Sequence, residues 1–127
     1  MELKLTDAYA KECREAMEAE KTRSLAQTNN WGHVDRDKVH ASWKSLYIQM
    51  AQALDQNVPP LNETFQEMVG KHFNIIKEFY VPSKQAYIGM SLFYVEDEEF
   101  RKYHDSFHPQ LASSLSEAMQ HYAMANL

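Results

Sequence analysis

Apolar side chains recur along this chain at intervals of three and four, with no sustained alternation of two. That period belongs to helices with one buried stripe and argues against strands. Residues 3 to 26 are rich in good helix formers, but their apolar positions (Leu3, Leu5, Tyr9, Cys13, Met17, Leu25) are sparse. The pattern predicts a first helix that is weakly anchored, since short isolated helices are marginal in water. A polar loop over residues 27–33 follows and holds the conspicuous Trp31. Asp35 can cap a second helix, with Val34 and Val39 placed to form a hydrophobic staple across its start. Val39, Trp43, Leu46, Met50, Ala53 and Leu54 mark its buried side, and Tyr47 lies at the edge.

Asn57-Val58-Pro59-Pro60 ends that helix. A third starts at Asn62 and carries the broadest apolar face: Phe65, Met68, Val69, His72, Phe73, Ile76 and Phe79. Val81-Pro82 stops it, and Ser83 can cap a fourth with Tyr87, Met90, and Phe93 or Tyr94 inward. Asp97 then caps a new helix, with Glu98 and Glu99 at its positive end. His108-Pro109 repeats the punctuation and places Pro109 at the first position of a closing helix striped by Leu111, Leu115, Ala118, Met119 and Tyr122. The expected fold is all-α: one domain over residues 1–127, five or six helices, a helical core at 34–127 and a loosely attached segment at 1–33.

Composition narrows the function. At 127 residues the chain suits a single core. Its formal charge of −5, with cations dispersed among acids, speaks against recognising DNA or RNA through this chain. No apolar run is long enough to span a membrane, and the N-terminus lacks a signal peptide's apolar core. A single cysteine, Cys13, fits a reducing compartment, so the expected location is the cytoplasm.

Candidate chemistry is sparse. There is no glycine-rich phosphate loop and no nucleophile elbow, so no catalytic residue is expected. His104 and His108 are four apart, but Pro109 breaks the helix beside them and no zinc motif surrounds them. His72, in the most apolar helix, has the position of an axial haem ligand, although a hydrogen-bonded core histidine is the plainer reading. No metal or cofactor is expected. The surplus of seven Met, seven Tyr, six Phe and two Trp is more informative. A cleft lined by Trp43, Tyr47, Phe73, Tyr80, Tyr87, Met90 and Tyr94 would suit a flat, partly apolar small molecule, whereas plain core packing is the alternative use of the same residues.

Several stretches, taken in order, resemble the TipAS antibiotic-recognition domain. They are Trp31-Gly32-His33-Val34-Asp35, Asn57-Val58-Pro59-Pro60, the run from Lys71-His72-Phe73 to Phe79-Tyr80, and above all Gly89-Met90-Ser91-Leu92-Phe93-Tyr94-Val95-Glu96-Asp97-Glu98-Glu99-Phe100, followed by Leu111-Ala112 and Glu117-Ala118. The resemblance implies a globin-like bundle without haem and a mobile N-terminal part that orders over bound ligand. It also implies non-catalytic binding of a peptide or aromatic antibiotic, by the effector domain of a MerR-type regulator or by a free-standing drug-sequestering resistance protein. On that footing Trp43, Tyr47, Phe73, Ile76, Tyr80, Tyr87 and Met90 are expected to supply apolar contact, Tyr94 and His72 polar handles, and Trp31 a lid. The best-known member captures ligand through a cysteine after its Phe-Tyr pair. Here Phe79-Tyr80-Val81-Pro82 has none, so the resemblance does not extend to covalent capture there, and Cys13 inherits no such role. Asn57 and Gln110 stand where glycine is usual in the family. No DNA-binding helix-turn-helix precedes the domain in this sequence, so a DNA-binding partner domain is implied only if the chain is a fragment. Two other classes compete: a haem or metal protein on a similar bundle, and a protein-interaction module.

Overall fold

The computed structural model describes residues 5–127, which form six helices: α1 (Asp7–Gln27), α2 (Arg36–Asp55), α3 (Glu63–Ile76), α4 (Lys84–Glu96), α5 (Glu98–Asp105) and α6 (Leu111–Asn126). Leu3 and the rest of residues 1–4 lie outside the described residues. Side-chain oxygens set four of the predicted starts. Asp35 accepts from the Lys38 amide, Asn62 from Thr64, Ser83 from Ala86 and Asp97 from Phe100, each satisfying an amide that the helix itself leaves unpaired. Thr6 does the same for α1 through the Tyr9 amide.

The C-terminus of α2 explains how Asn57 replaces a glycine. Asn57 has φ 61°, its amide bonds to the Leu54 carbonyl, and the Val58 amide reaches back to Ala53. This is a Schellman turn, and asparagine is the residue after glycine that best tolerates its left-handed position. Gln110 has φ −109°, so its turn makes no such demand.

Pro109 does not open the last helix. The chain turns over residues 108–111, with the Leu111 amide on the His108 carbonyl, and α6 begins at Leu111. Side chains supplied by the preceding helix and turn take the early amides: Asp105 accepts from Ala112 and His108 Nδ1 from Gln110. Phe79 is also displaced from expectation. The third helix stops at Ile76, and amides 78 and 79 close a tighter turn onto Ile75 and Ile76, swinging Phe79 off the core stripe.

Helix α4 is the centre of the bundle. Ala86, Tyr87, Ile88, Gly89, Ser91 and Tyr94 are all buried, because α1, α5 and α6 surround it. Helix α3 supplies Phe65, Met68, Val69, Phe73 and Ile76 to the same core, and α6 closes it with Leu111, Leu115, Ala118, Met119 and Ala123. The first helix packs differently from its sparse large residues. Ala10, Cys13, Met17 and Ser24 are buried, and the α1 backbone approaches α4 so closely that a Cβ at Gly89 would lie 2.2 Å from the Cys13 carbonyl oxygen. Small residues hold α1 here by close backbone contact, which counting large apolar side chains overlooks. Glu20 adds a tie at the start of α4, accepting from the Ser83 amide at 2.9 Å and from its hydroxyl. The Arg14–Glu96 pair at the other end is half exposed, worth at most about 1 kcal/mol.

Gly89→Ala should therefore push α1 off α4. Overpacking of this kind costs about 1–3 kcal/mol, so thermal melting should fall by several degrees and amide exchange in α1 should accelerate. An unchanged melt and unchanged α1 protection would contradict the close approach.

Candidate functional site

A cleft of about 530 Å³ opens between α2, the α1–α2 and α3–α4 turns, and the α4–α5 corner. Its lining is largely aromatic. Trp43 and Phe79 lie nearly parallel, ring centroids 5.6 Å apart at 14°. Trp31 meets Phe79 edge-on at 5.0 Å and stacks on Tyr80 at 6.4 Å and 12°. From α4 and α5, Tyr94 stacks on Phe100 at 5.8 Å and on His104 at 4.5 Å. Val39, Tyr47 and Tyr103 fill the space between, and Arg36, His40 and Glu99 stand among the lining residues. A second depression of about 520 Å³ runs along the α2–α3 surface, but its lining mixes Lys38, Ser42, Ser45, Gln49 and Lys71 with Ala41, Leu46 and Ile75 and has no aromatic wall.

Trp31 is held in an unusual backbone state. Asn29, Asn30 and Trp31 have φ of 52°, 60° and 60°, and for a bulky side chain this left-handed state costs on the order of 1–3 kcal/mol. Local bonds offset it: the Trp31 amide donates to Thr28 Oγ1 at 3.0 Å, and its indole Nε1 to Ser24 Oγ at 2.9 Å. His33 Nε2 reaches the Glu78 carbonyl at 2.9 Å, joining this turn to the one that carries Phe79. Trp43 Nε1, by contrast, is the buried side-chain polar atom among the described residues that lacks a partner. An unpaired indole N–H in the wall is a cost that a rearranged or occupied cleft could remove.

Beneath the cleft runs a chain of buried polar groups whose proton positions follow by elimination. His104 Nδ1 lies 2.7 Å from the Phe100 carbonyl, which can only accept, so Nδ1 carries the hydrogen and Nε2 accepts from the Tyr47 hydroxyl at 2.9 Å. Tyr87 is fully buried and its hydroxyl bonds only to His72 Nδ1, at 2.8 Å, so it donates there. His72 Nε2 then carries the hydrogen and donates to the Tyr94 oxygen at 3.3 Å. The two halves pack on each other: Tyr94 stacks on His104 at 4.5 Å, and the Tyr47 ring lies 6.3 Å from that of His72.

Ionisation follows burial. The low-dielectric site holds His72 at about 3, with nearby His104 a smaller cause, and burial lowers His104 as well against the opposing pull of the Phe100 carbonyl and Asp105. Burial raises the hydroxyl pKa of Tyr47, Tyr87 and Tyr94. Tyr80 is pushed up to about 12 by burial first and by Glu20 and Glu18 next. Both imidazoles therefore stay neutral and the hydroxyls stay donors.

Of the residues proposed from sequence, Trp43, Tyr47, Tyr94 and Trp31, the last expected as a lid, line the cleft together. Tyr80 backs Trp31 from outside. His72, Phe73, Ile76 and Tyr87 do not line it: all are core residues, with Phe73 edge-on to Tyr87 at 5.1 Å. The face of α3 that carries His72, Phe73 and Ile76 turns to Tyr87 and Tyr94 of α4 and to Tyr122 of α6. Met90 is half-buried against the core rather than in the lining. Phe79, Phe100, Tyr103 and His104 were missed. Phe100, Tyr103, His104 and Phe107 fall at helical spacings of three and four, a signal overlooked when residues 96–100 are read only as punctuation.

The chain matches the family model of the TipAS antibiotic-recognition domain over residues 9–122. It belongs to that family. No curated protein and no solved structure matches it. A TipAS domain is a ligand-sensing rather than a catalytic unit, which accords with a site built of aromatic faces. The haem alternative finds no free ligand atom at His72, since both ring nitrogens are engaged. His104 and His108 do not converge either: the first is inside the Tyr47 chain and the second pairs with Asp55 at 3.2 Å. Among the described residues no cluster of His, Cys, Asp or Glu could hold a metal ion, and no helix is long and apolar enough to cross a membrane.

The histidines set a pH dependence. The folded pKa of each lies below the unfolded value of about 6.5, so the unfolded chain takes up the extra proton as pH falls. Their contribution is complete above pH 6.5 and is lost on acidification, for His72 down to about pH 3. For His72 the loss approaches ~1.4 kcal/mol per pH unit. Denaturant melts between pH 6.5 and 5, above the carboxylate range, should show falling stability, with a shallower slope in His72→Gln. A flat profile there would contradict the buried neutral imidazoles.

Proposed function

We propose that the TipAS cleft binds, without catalysis, a small molecule of the peptide or aromatic antibiotic class. The chain then serves in the cytoplasm as the effector-sensing domain of a MerR-type regulator or as a drug-sequestering resistance protein, with no nucleic-acid contact of its own. Trp43, Tyr47, Phe79, Tyr94, Phe100 and Tyr103 supply the contact surface, and the segment carrying Trp31 acts as the lid. His72, Phe73, Ile76, Tyr87 and Met90 support that surface from behind.

The observation that carries this reading is the aromatic lining itself. Flat rings with their faces toward a concave opening bury much area at little conformational cost and tolerate varied ligands. The polar groups of the floor are already spent on one another, so stacking dominates recognition. Both tryptophans of the chain stand in the cleft, which makes intrinsic fluorescence a local reporter.

A screen of peptide and aromatic antibiotics by thermal shift and tryptophan quenching tests it. At 100 times its dissociation constant a ligand stabilises the fold by ~2.7 kcal/mol and raises the melting temperature by several degrees. Phe79→Ala should weaken such a ligand by roughly tenfold while leaving the helical circular dichroism intact, as expected for one lost stacking surface. Phe73→Ala should instead destabilise the free protein by about 3–5 kcal/mol, the usual cost of emptying a core aromatic site. Ligands that bind equally well to Phe79→Ala and leave both tryptophans unquenched would place the site elsewhere.

A further inference from the structure

The acidic run at the α4–α5 corner leaves one carboxylate without a structural task. Glu96 is bound by Arg14, with Nε at 3.0 Å; Asp97 caps α5 through the Phe100 amide; and Glu98 pairs with Lys102 at 3.0 Å. Glu99 makes no ion pair among the described residues, and it is the one of the four that lines the cleft. It stands in the first turn of α5 and is exposed. The other charge at the cleft, Arg36, is turned onto the Asn30 carbonyl at 2.8 Å.

Around Glu99 the lining is aromatic. Phe100 and Tyr103 are nearly half exposed, at 43% and 47%, and Tyr94 stacks behind Phe100. Aromatic faces carry negative potential and attract cations, and a carboxylate at the mouth adds to that field. The floor beneath offers no competing cation, since His104 already donates to a backbone carbonyl and accepts from Tyr47.

From this geometry we infer that the cleft selects planar aromatic cations, in which a delocalised positive charge lies over the ring faces near Glu99. This rests on the cleft being the ligand site and adds the charge class of its ligand. Glu99 is the specificity-determining residue. It opposes anionic aromatic compounds of the same shape, and its effect weakens as salt rises, because the carboxylate is exposed to solvent.

The test uses two probes with the same planar tricyclic ring, N-methylacridinium and acridine, at pH 8, where acridine is neutral. Dissociation constants for the full chain are read from tryptophan quenching and confirmed calorimetrically. N-methylacridinium should bind about fivefold or more tightly than acridine at low salt, consistent with one solvent-exposed ion pair together with cation–π contact. Glu99→Gln should cut that preference at least by about half, leaving the smaller cation–π part, while acridine binding changes far less and the thermal melt stays unchanged, and Phe79→Ala should weaken both probes. Equal affinity for the pair, or a preference undiminished in Glu99→Gln, overturns the charge inference and leaves the cleft standing as an aromatic site. Failure of both probes to bind overturns the charge inference and the cleft reading together.

Discussion

Four helices of this domain meet through a buried network of polar groups, two hydrogen-bonded strings packed on each other, and the remaining geometry depends on it. Tyr87 and Tyr94 come from α4, His72 from α3, Tyr47 from α2 and His104 from α5, ending on the Phe100 carbonyl. Each of these groups would be costly if left unpaired away from water, and each has its partner only when the helices sit in one register. The chain therefore does more than satisfy a core. It fixes the floor of the cleft and uses up its donors and acceptors, so that what faces the opening is chiefly carbon.

The rest of the site is hung on that floor from two sides. Helix α5 is only eight residues long, yet its cap at Asp97 and the His104 anchor place Phe100 and Tyr103 at the rim. On the other side the close packing of α1 on α4 at Gly89 brings the turn after α1 over the end of α3. Trp31 arrives there in a left-handed conformation, braced by Ser24, Thr28, Phe79 and Tyr80. A side chain kept in a costly backbone state by a set of individually weak contacts is well suited to move when a ligand offers better ones.

Much of this was legible in the sequence because it rests on local rules. Asp35, Asn62, Ser83 and Asp97 cap the helices that their residue types predict, and the stripes of α2, α3 and α6 face the core as spaced. The failures share a cause in tertiary geometry. Alanine, cysteine and glycine at the α1–α4 contact give little hydrophobic signal, although only such small residues permit it. The turn that takes Phe79 into the cleft is a matter of one helical turn lost after Ile76, and Pro109 precedes α6 because Asp105 and His108 supply the early bonds. Periodicity marks His72, Phe73, Ile76 and Tyr87 as inward, but inward is the same for a core and for a cleft floor until the helices are assembled. The family resemblance identified the domain; it did not tell these two apart.

The directed hydrogen-bond chain is the central claim, and nitrogen-15 NMR of the histidine side chains tests it most directly. Resonances of His72 should report a neutral ring from pH 7 down to 5 and those of His104 a titration below the ordinary histidine value, with the hydrogen on Nε2 of His72 and, in the neutral ring, on Nδ1 of His104. An imidazolium forming near the ordinary histidine value at either residue, or the opposite tautomer at His104, would contradict the chain and with it the account of why the cleft presents aromatic faces to its ligand.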